Sequence, residues 1–382
     1  MSRNVGIVVI IPLFEGNLWL GGTQYFSNLA KVVTTYFPLV EFIPVNYEKE
    51  LATALTKRTF FRKVIQKISR ATSEDIVSKE WQEICKCKSK GKRLVIFSNL
   101  FRMITAAEKL HTIFWIPDFQ FLHLPNMAAN GASIGFIANS QKGSEAANNI
   151  MLSSKDSLKD FNTLFPNYIA KARVISFVKR IDSNFLTISA LEISKFYKLP
   201  DFFFYVPNQF WKHKNHKIIL EAITLMKNAQ QTIFIVFSGN TEDLRDPNHF
   251  KSLEKIIKNN DLTSYVRILG VIPYEHVVAL IRQSIAVINP SLFEGWSTTV
   301  EEVKSIGKRL ILSDLDVHKE QAPNDSIIFE RNNAVQLAEI LHDEFENGTA
   351  GPNKDGECKA AEIQISREKD FAKQFHDLLN EC

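Results

Sequence analysis

Between Pro290 and Arg309 the chain reads PSLFEGWSTTVEEVKSIGKR, placing Glu294 before a small-residue turn and Glu302 inside the helix that the turn opens. Carboxylates accept hydrogen bonds from sugar hydroxyls well and repel phosphate. Between the two glutamates, the N–H groups near Ser297, Thr298, Thr299 and Val300 begin the helix, where unpaired donors and the helix dipole favour an anion. Thr298-x-x-Glu301 has the spacing of a capping box, which assigns Glu301 to folding back on the backbone and leaves Glu302 free. Separated carboxylates with amides between them suit a diphosphate that carries hydroxylated groups at both ends. A nucleotide sugar has that shape.

Three further places could carry chemistry. Gly21-Gly22 follows the first apolar run and precedes a helical pattern, where absence of Cβ lets backbone approach a phosphate or sugar; an ordinary tight turn has the same composition. Asp118 follows the run TIFWI (112–116) at its carboxyl end, with His123 five residues later. The sequence KHKN carries Lys212, His213 and Lys214 in one basic loop, whose plain alternative is a set of solvated side chains.

These residues need elements to position them. Short apolar runs alternate with helical segments: VGIVVII (5–11), LVIF (94–97), TIFWI (112–116), IGFIAN (134–139) and RVISF (173–177) in the first half; FFFYV (202–206), IFIVFS (233–238), VRIL (266–269), IAVIN (285–289), RLILS (309–313) and SIIF (326–329) in the second. Apolar runs without polar alternation belong to parallel sheets covered on both faces, and their alternation with helices predicts two doubly wound α/β units. At 382 residues the chain exceeds the size at which one core stops growing. The expected domains are 1–180 and 181–365, with a terminal helix over 366–382 that packs back on the first domain. Paired open sheets hold ligands beyond the carboxyl ends of their strands, here in a cleft between the two domains.

Composition narrows the class. The chain is 45% hydrophobic and 23% charged, with a net charge of +4, which describes a globular protein and does not argue for nucleic acid. Four scattered cysteines point to a reducing, cytoplasmic compartment. The first apolar run is too short for a membrane span and lacks a cleavage signal, so it reads as a buried strand. LTKRTFFRKVIQKISR (55–70) holds six basic residues and no acid beside an apolar stripe, a pattern shared by solvated surface helices and by helices that contact anionic membranes.

The E-x7-E spacing from Glu294 to Glu302 resembles that of the retaining GT-B glycosyltransferases of family 4. The segments VPNQFWKHKNHKIILEAI (206–223), VRILGVIPYEHVVALIRQSIAVINPSLFEGWSTTVEE (266–302), GGTQYFSNLAKVV (21–33), FWIPDFQFLHLP (114–125) and IANSQKGSEAA (137–147) resemble stretches of the same enzymes in the same order. The resemblance implies a GT-B fold, an α/β architecture with an acceptor-binding first domain and a nucleotide-sugar-binding second domain. It implies transfer of a hexose from GDP-mannose or a UDP-hexose to a glycan or lipid-linked glycan, as in surface polysaccharide synthesis, at the inner face of the cytoplasmic membrane. By position, Glu302 would accept from the ribose and Glu294 would contact the donor sugar. Gly295, Trp296, Ser297, Thr298, Thr299 and Val300 would line the phosphates, and Gly270 and Ile272 the base pocket. Lys214 would neutralise the diphosphate, and Gly21 and Gly22 would lie over it. The family's arginine six residues before that lysine is Asn208 here, so Lys212 or His213 is the candidate for the missing charge. The family's His-Asp pair is Pro117-Asp118, leaving Asp118 as acceptor-facing carboxylate and base, or His123 in the histidine's place. No D-x-D cluster is expected at a strand end to hold a divalent cation against the diphosphate; Lys214 and the helix start would take that role, so no metal and no other cofactor is expected. A nucleotide-sugar epimerase and an inactive nucleotide-sugar-binding subunit are the alternatives; lack of a G-x-G-x-x-G after either first strand counts against a dehydrogenase.

Overall fold

The computed structural model describes residues 6–14, 20–45, 79–107, 110–127, 132–243 and 245–381. The basic segment 55–70 lies outside them. Two compact units form. The first comprises 1–119, 130–178 and 367–382, and the second 120–129 and 179–366.

The first unit is built on a parallel sheet of β1 (Ile7–Pro12), β2 (Val40–Val45), β3 (Arg93–Ser98), β4 (His111–Ile116), β5 (Asn149–Leu152) and β6 (Ala172–Val174), in the order β2-β1-β3-β4-β5-β6. All six residues of β1 are buried, as expected of a strand covered on both faces. Aromatic rings fill the space above it: Tyr25 stacks on Trp115 at 3.8 Å, and Phe26 packs edge-on against Phe97 at 5.5 Å.

The run IGFIAN is not a strand. It lies in the helix Ala132–Ala146, with Ile134 exposed, and the strand beside β4 is NIML at 149–152. The helical signal is carried by small residues: Ser140, Gly143, Ser144 and Ala147 are buried at helical spacing. Gly143 is required there, because a Cβ would meet the Phe114 ring at 2.5 Å. An apolar run alone does not separate helix from strand.

The second unit holds β7 (Phe204–Val206), β8 (Ile235–Phe237), β9 (Val266–Ile268), β10 (Val287–Asn289), β11 (Leu310–Ser313) and β12 (Ile327–Phe329), all parallel, in the order β12-β11-β10-β7-β8-β9. Successive side chains leave opposite faces of a strand, and here both faces are dry. Phe204, Val206, Ile235, Phe237, Ile288 and Ile311 enter one core with the helix His216–Asn228. Tyr205, Val236, Val287, Leu310 and Leu312 enter the other with Val300 and Val303. The order in which successive strands are added reverses between β7 and β10, the switch point at which ligands of such sheets bind.

The last helix, Lys354–Asn380, begins in the second unit and from Arg367 onward belongs to the first, as expected for the terminal helix. In the first unit Phe375 packs edge-on against Phe97 at 5.1 Å, His376 stacks on Phe37 at 4.0 Å, and the Arg93 guanidinium donates to the Leu379 carbonyl. Among the described residues no helix is long and apolar enough to cross a membrane.

Gly143→Val forces branched carbons into the Phe114 ring and is expected to destabilise the first unit by about 1–3 kcal/mol, read as a lowered thermal midpoint by circular dichroism.

Candidate functional site

Two loops meet at the switch point of the second sheet. The loop after β7 ends in a tight turn, Lys212–Lys214, closed by Asn215 in the left-handed region (φ 54°, ψ 37°). Asparagine tolerates that region better than most residues, and its side-chain amide donates to the Pro290 and Arg331 carbonyls at 3.2 and 3.1 Å. The Leu292 N–H donates to the His213 carbonyl at 2.7 Å, tying this turn to the loop after β10. The result is direct contact between Lys214 and Glu294, Nζ to Oε1 at 2.6 Å, with side-chain exposures of 13% and 9%. The Ser291 hydroxyl lies 2.6 Å from the same carboxylate oxygen and 2.8 Å from Asn289 Oδ1, sharing one proton between two acceptors.

The two glutamates sit in different electrostatic settings. Burial alone would raise the Glu294 carboxyl, but Lys214, with His318 and His213, outweighs it and holds the group at about 2. Glu302 is pushed up by burial, opposed in part by Lys179 and by the Tyr274 hydroxyl, which donates to Oε1 at 2.8 Å. Glu294 is therefore the firmly ionised member. Lys179 Nζ lies over the Tyr274 ring at 5.2 Å, completing a cation–aromatic–carboxylate group around Glu302.

The capping-box assignment is corrected. The N-cap of the helix Thr298–Ile306 is Ser297, whose hydroxyl accepts from the Val300 N–H at 3.4 Å. Glu301, one turn in and fully buried, accepts instead from Lys304 Nζ at 3.1 Å and Gln321 Nε2 at 3.0 Å. Gln321 also grips Ser297 on both sides, accepting from its N–H at 3.0 Å and donating to its carbonyl at 2.7 Å. These bonds use the Ser297 and Val300 amides internally, so two of the expected phosphate donors are spent. The Thr298 and Thr299 amides remain in the first turn, where a helix offers them no acceptor.

Other expected residues take definite places. Asn208 is buried and donates through Nδ2 to Thr299 Oγ1 at 3.2 Å, joining the loop after β7 to the helix start. Lys212 is half exposed and pairs with Asp246 at 3.5 Å. His213 is unsuited to the missing charge: burial, then Lys214, lowers it to about 3, so the ring is neutral at neutral pH. Gly270 has φ +68° and its carbonyl accepts from the Gly239 N–H at 2.9 Å; Ile272 packs against the second core. His123 is exposed and stacks on Phe293, the neighbour of Glu294, at 5.1 Å within the second unit. Asp118 and the two glycines belong to the first unit, and Gly21-Gly22 lie inside the first turn of the helix Leu20–Tyr36 rather than before it. A D-x-D spacing does occur beyond a strand, at Asp314-Leu315-Asp316, but Arg331 holds Asp314 at 2.6 Å. Among the described residues no group of three or more His, Cys, Asp or Glu has a metal-holding arrangement. Tyr274, Lys179, His318 and Gln321 join the site from outside the stretch that carries the two glutamates, and no local spacing announces them.

Residues 191–358 match the family described as Glycosyl transferases group 1, a stretch lying wholly in the second unit and containing both glutamates. Anabaena Alr3699/HepE, solved in complex with UDP and glucose, is similar with a TM-score of 0.67 and 13% identity over 98% of this chain and 100% of that one. A glycosyltransferase from Rickettsia africae ESF-5 gives 0.62 and 15% over 99% and 100%, and sucrose-phosphate synthase from Thermosynechococcus elongatus 0.65 and 10% over 98% and 98%. No curated protein matches. The fold is GT-B: two parallel-sheet units with a terminal helix that returns to the first. The likeness spreads across several kinds of GT-B protein and does not single out family 4.

Two measurements test this site. His213 and His216 are held at about 3 and His318 at about 4, in each case chiefly by burial, against an ordinary 6.5. Between those values the unfolded chain binds more protons, so their contribution to stability is full above 6.5 and is lost as pH falls toward 3. Glu294 acts in the same direction in a lower window, from an ordinary 4.5 down to about 2. The thermal midpoint of the second unit is expected to fall as pH drops from about 7.5 to about 5, less steeply in His213→Gln. Gln321→Leu frees both Ser297 groups and strips a donor from buried Glu301. It is expected to destabilise the second unit by about 1–3 kcal/mol, again read as a thermal midpoint.

Proposed function

We propose that this chain is a retaining glycosyltransferase of family 4 that transfers a hexose from a nucleotide-diphosphate sugar to a glycan or lipid-linked glycan. The observation that carries the reading is the Lys214–Glu294 contact beside the start of the helix bearing Glu302, at the switch point of the sheet. A cation, an ionised carboxylate and unpaired helix-start amides are the groups that a sugar diphosphate needs. The match to Glycosyl transferases group 1 supports the same reading. The Anabaena structures bound to UDP and to UDP-glucose favour a UDP-hexose as the first donor to test.

In this mechanism Glu302 accepts from a ribose hydroxyl while Tyr274 orients its carboxylate. The Thr298 and Thr299 amides and Lys214 hold the diphosphate, and ionised Glu294 accepts from hydroxyls of the transferred sugar. The bond from the anomeric carbon to the phosphate oxygen breaks, its electron pair passing to that oxygen. The acceptor oxygen bonds to the carbon on the same face, and its proton goes to the departing phosphate. Lys214 and the amides stabilise the charge as it grows on the leaving group, a fixed electrostatic contribution that needs no metal ion. We assign Asp118 to the acceptor hydroxyl. A surface-polysaccharide acceptor at the inner membrane face, reached through the basic segment 55–70, completes the proposal.

Calorimetry across UDP-, GDP-, ADP- and dTDP-sugars is expected to show binding of one nucleotide class, with transfer or slow donor hydrolysis that persists in EDTA. Lys214→Ala and Glu294→Ala are each expected to lower kcat about 10²–10³-fold, with the α or β configuration of the donor retained by NMR. Binding of none of these donors sinks the reading.

A further inference from the structure

The cations around the site are mostly spoken for. Lys214 is paired with Glu294, Lys212 with Asp246, Arg245 with Asp243, Arg331 with Asp314 and Lys304 with Glu301. His213 and His318 are kept neutral by burial. Lys179 differs. It is only half-buried, and its Nζ rests over the Tyr274 ring at 5.2 Å with no hydrogen bond or ion pair among the described residues. An ammonium has three protons to donate, and contact with a ring face places none of them in a directed bond.

The backbone fixes where this lysine starts. Its carbonyl accepts from the Ser305 hydroxyl and from the Gln364 side-chain amide, each at 2.8 Å. Ser305 follows Glu302 by three residues, so both lie on one face of the helix Thr298–Ile306. The Tyr274 ring then joins the two charged side chains: Lys179 Nζ lies over its face, and its hydroxyl donates to Glu302 Oε1 at 2.8 Å. The Lys179 charge also opposes the rise that burial gives the Glu302 carboxyl. Thr298 precedes Glu302 by four residues, about 6 Å along the helix axis. Lys179 therefore stands beside the carboxylate assigned to the ribose, one turn from the amides assigned to the diphosphate.

Charge balance gives it a task. A sugar diphosphate is a dianion, and the site adds the carboxylates of Glu294 and Glu302. Glu294 already matches Lys214, and a helix start contributes only roughly half a positive charge. Negative charges left unmatched in a partly buried site repel strongly. A second cation is what the arrangement calls for, and the unpaired ammonium beside Glu302 supplies it.

We propose that Lys179 is a further donor-binding residue, its ammonium leaving the Tyr274 ring to donate to the nucleotide's first phosphate, next to the ribose held by Glu302. This rests on the glycosyltransferase reading above. It divides the diphosphate between two lysines: Lys179 holds the phosphate bonded to the nucleoside, and Lys214 the one bonded to the sugar.

The test is ligand-observed NMR titration with UDP, UMP and uridine, or with GDP, GMP and guanosine if the wild-type protein binds that base. Lys179→Met keeps an aliphatic stem against Tyr274 and removes the charge. It is expected to weaken UDP and UMP about ten-fold and to leave uridine unchanged, while Lys179→Arg recovers most of the loss for UMP. Equal weakening of all three ligands by Lys179→Met identifies a lysine that acts only through Glu302 or the fold, and overturns the proposal. Wild-type affinity for UMP overturns it too, identifying a solvated side chain. Weakening of UDP alone moves the ammonium to the second phosphate and overturns the assignment to the first. Lys179→Gln, read in the same way, replaces Lys179→Met if that variant does not fold. Failure of the wild-type protein to bind any of these nucleotides defeats the functional reading itself and this proposal with it, a result distinct from the others.

Discussion

The ion pair between Lys214 and Glu294 is the constraint around which the second unit is arranged. Removing two charges from water is expensive, and the attraction between them offsets that cost only where geometry is good and remaining hydrogen bonds are met. Here the geometry depends on Asn215 in the left-handed region, the Leu292–His213 backbone bond and the Ser291 hydroxyl. Each of these joins the loop after β7 to the loop after β10 or braces the carboxylate directly. The pair exists because the sheet places β7 beside β10, strands whose sequences are separated by β8 and β9.

A second layer of buried polar groups holds the start of the helix Thr298–Ile306. Ser297 caps it, Gln321 clamps Ser297 through both backbone groups, and Glu301 with Lys304 closes the network. A fully satisfied network of this kind rigidifies a site, whereas a half-satisfied one is costly. It leaves the Thr298 and Thr299 amides in the first turn, where a helix offers them no acceptor, so the helix start can act as an anion site without relying on the dipole of a loosely held helix. Burial of His213, His216 and His318 beneath the same loops keeps them neutral, so the positive charge near Glu294 comes from Lys214 and not from a cluster of imidazolium rings.

Much of the fold was legible because burial on both faces leaves a simple trace. FFFYV, IFIVFS and IAVIN are apolar at successive positions, and the strands they contain feed two cores in strict alternation. The first unit shows where that logic stops. IGFIAN has a strand's composition but lies in a helix, since the decisive pattern is the stripe Ser140, Gly143, Ser144, Ala147, whose small side chains carry little hydrophobic signal. Small residues mark close approach, and what they approach, the Phe114 ring, is known only from the folded chain.

The same division runs through the site. Local chemistry determined the elements: a helix start flanked by Glu294 and Glu302, and a basic turn after a buried strand, are covalent neighbourhoods that any reading of residue types exposes. The tertiary structure decided which groups meet. It gave Glu301 to Lys304 and Gln321 rather than to the cap, turned Glu302 toward Tyr274, and paired Lys214 with Glu294. Hydrogen bonds and ion pairs act over a few ångströms of space, and parallel sheets bring together residues far apart in the chain, so the partners of these side chains are set by strand order and not by spacing.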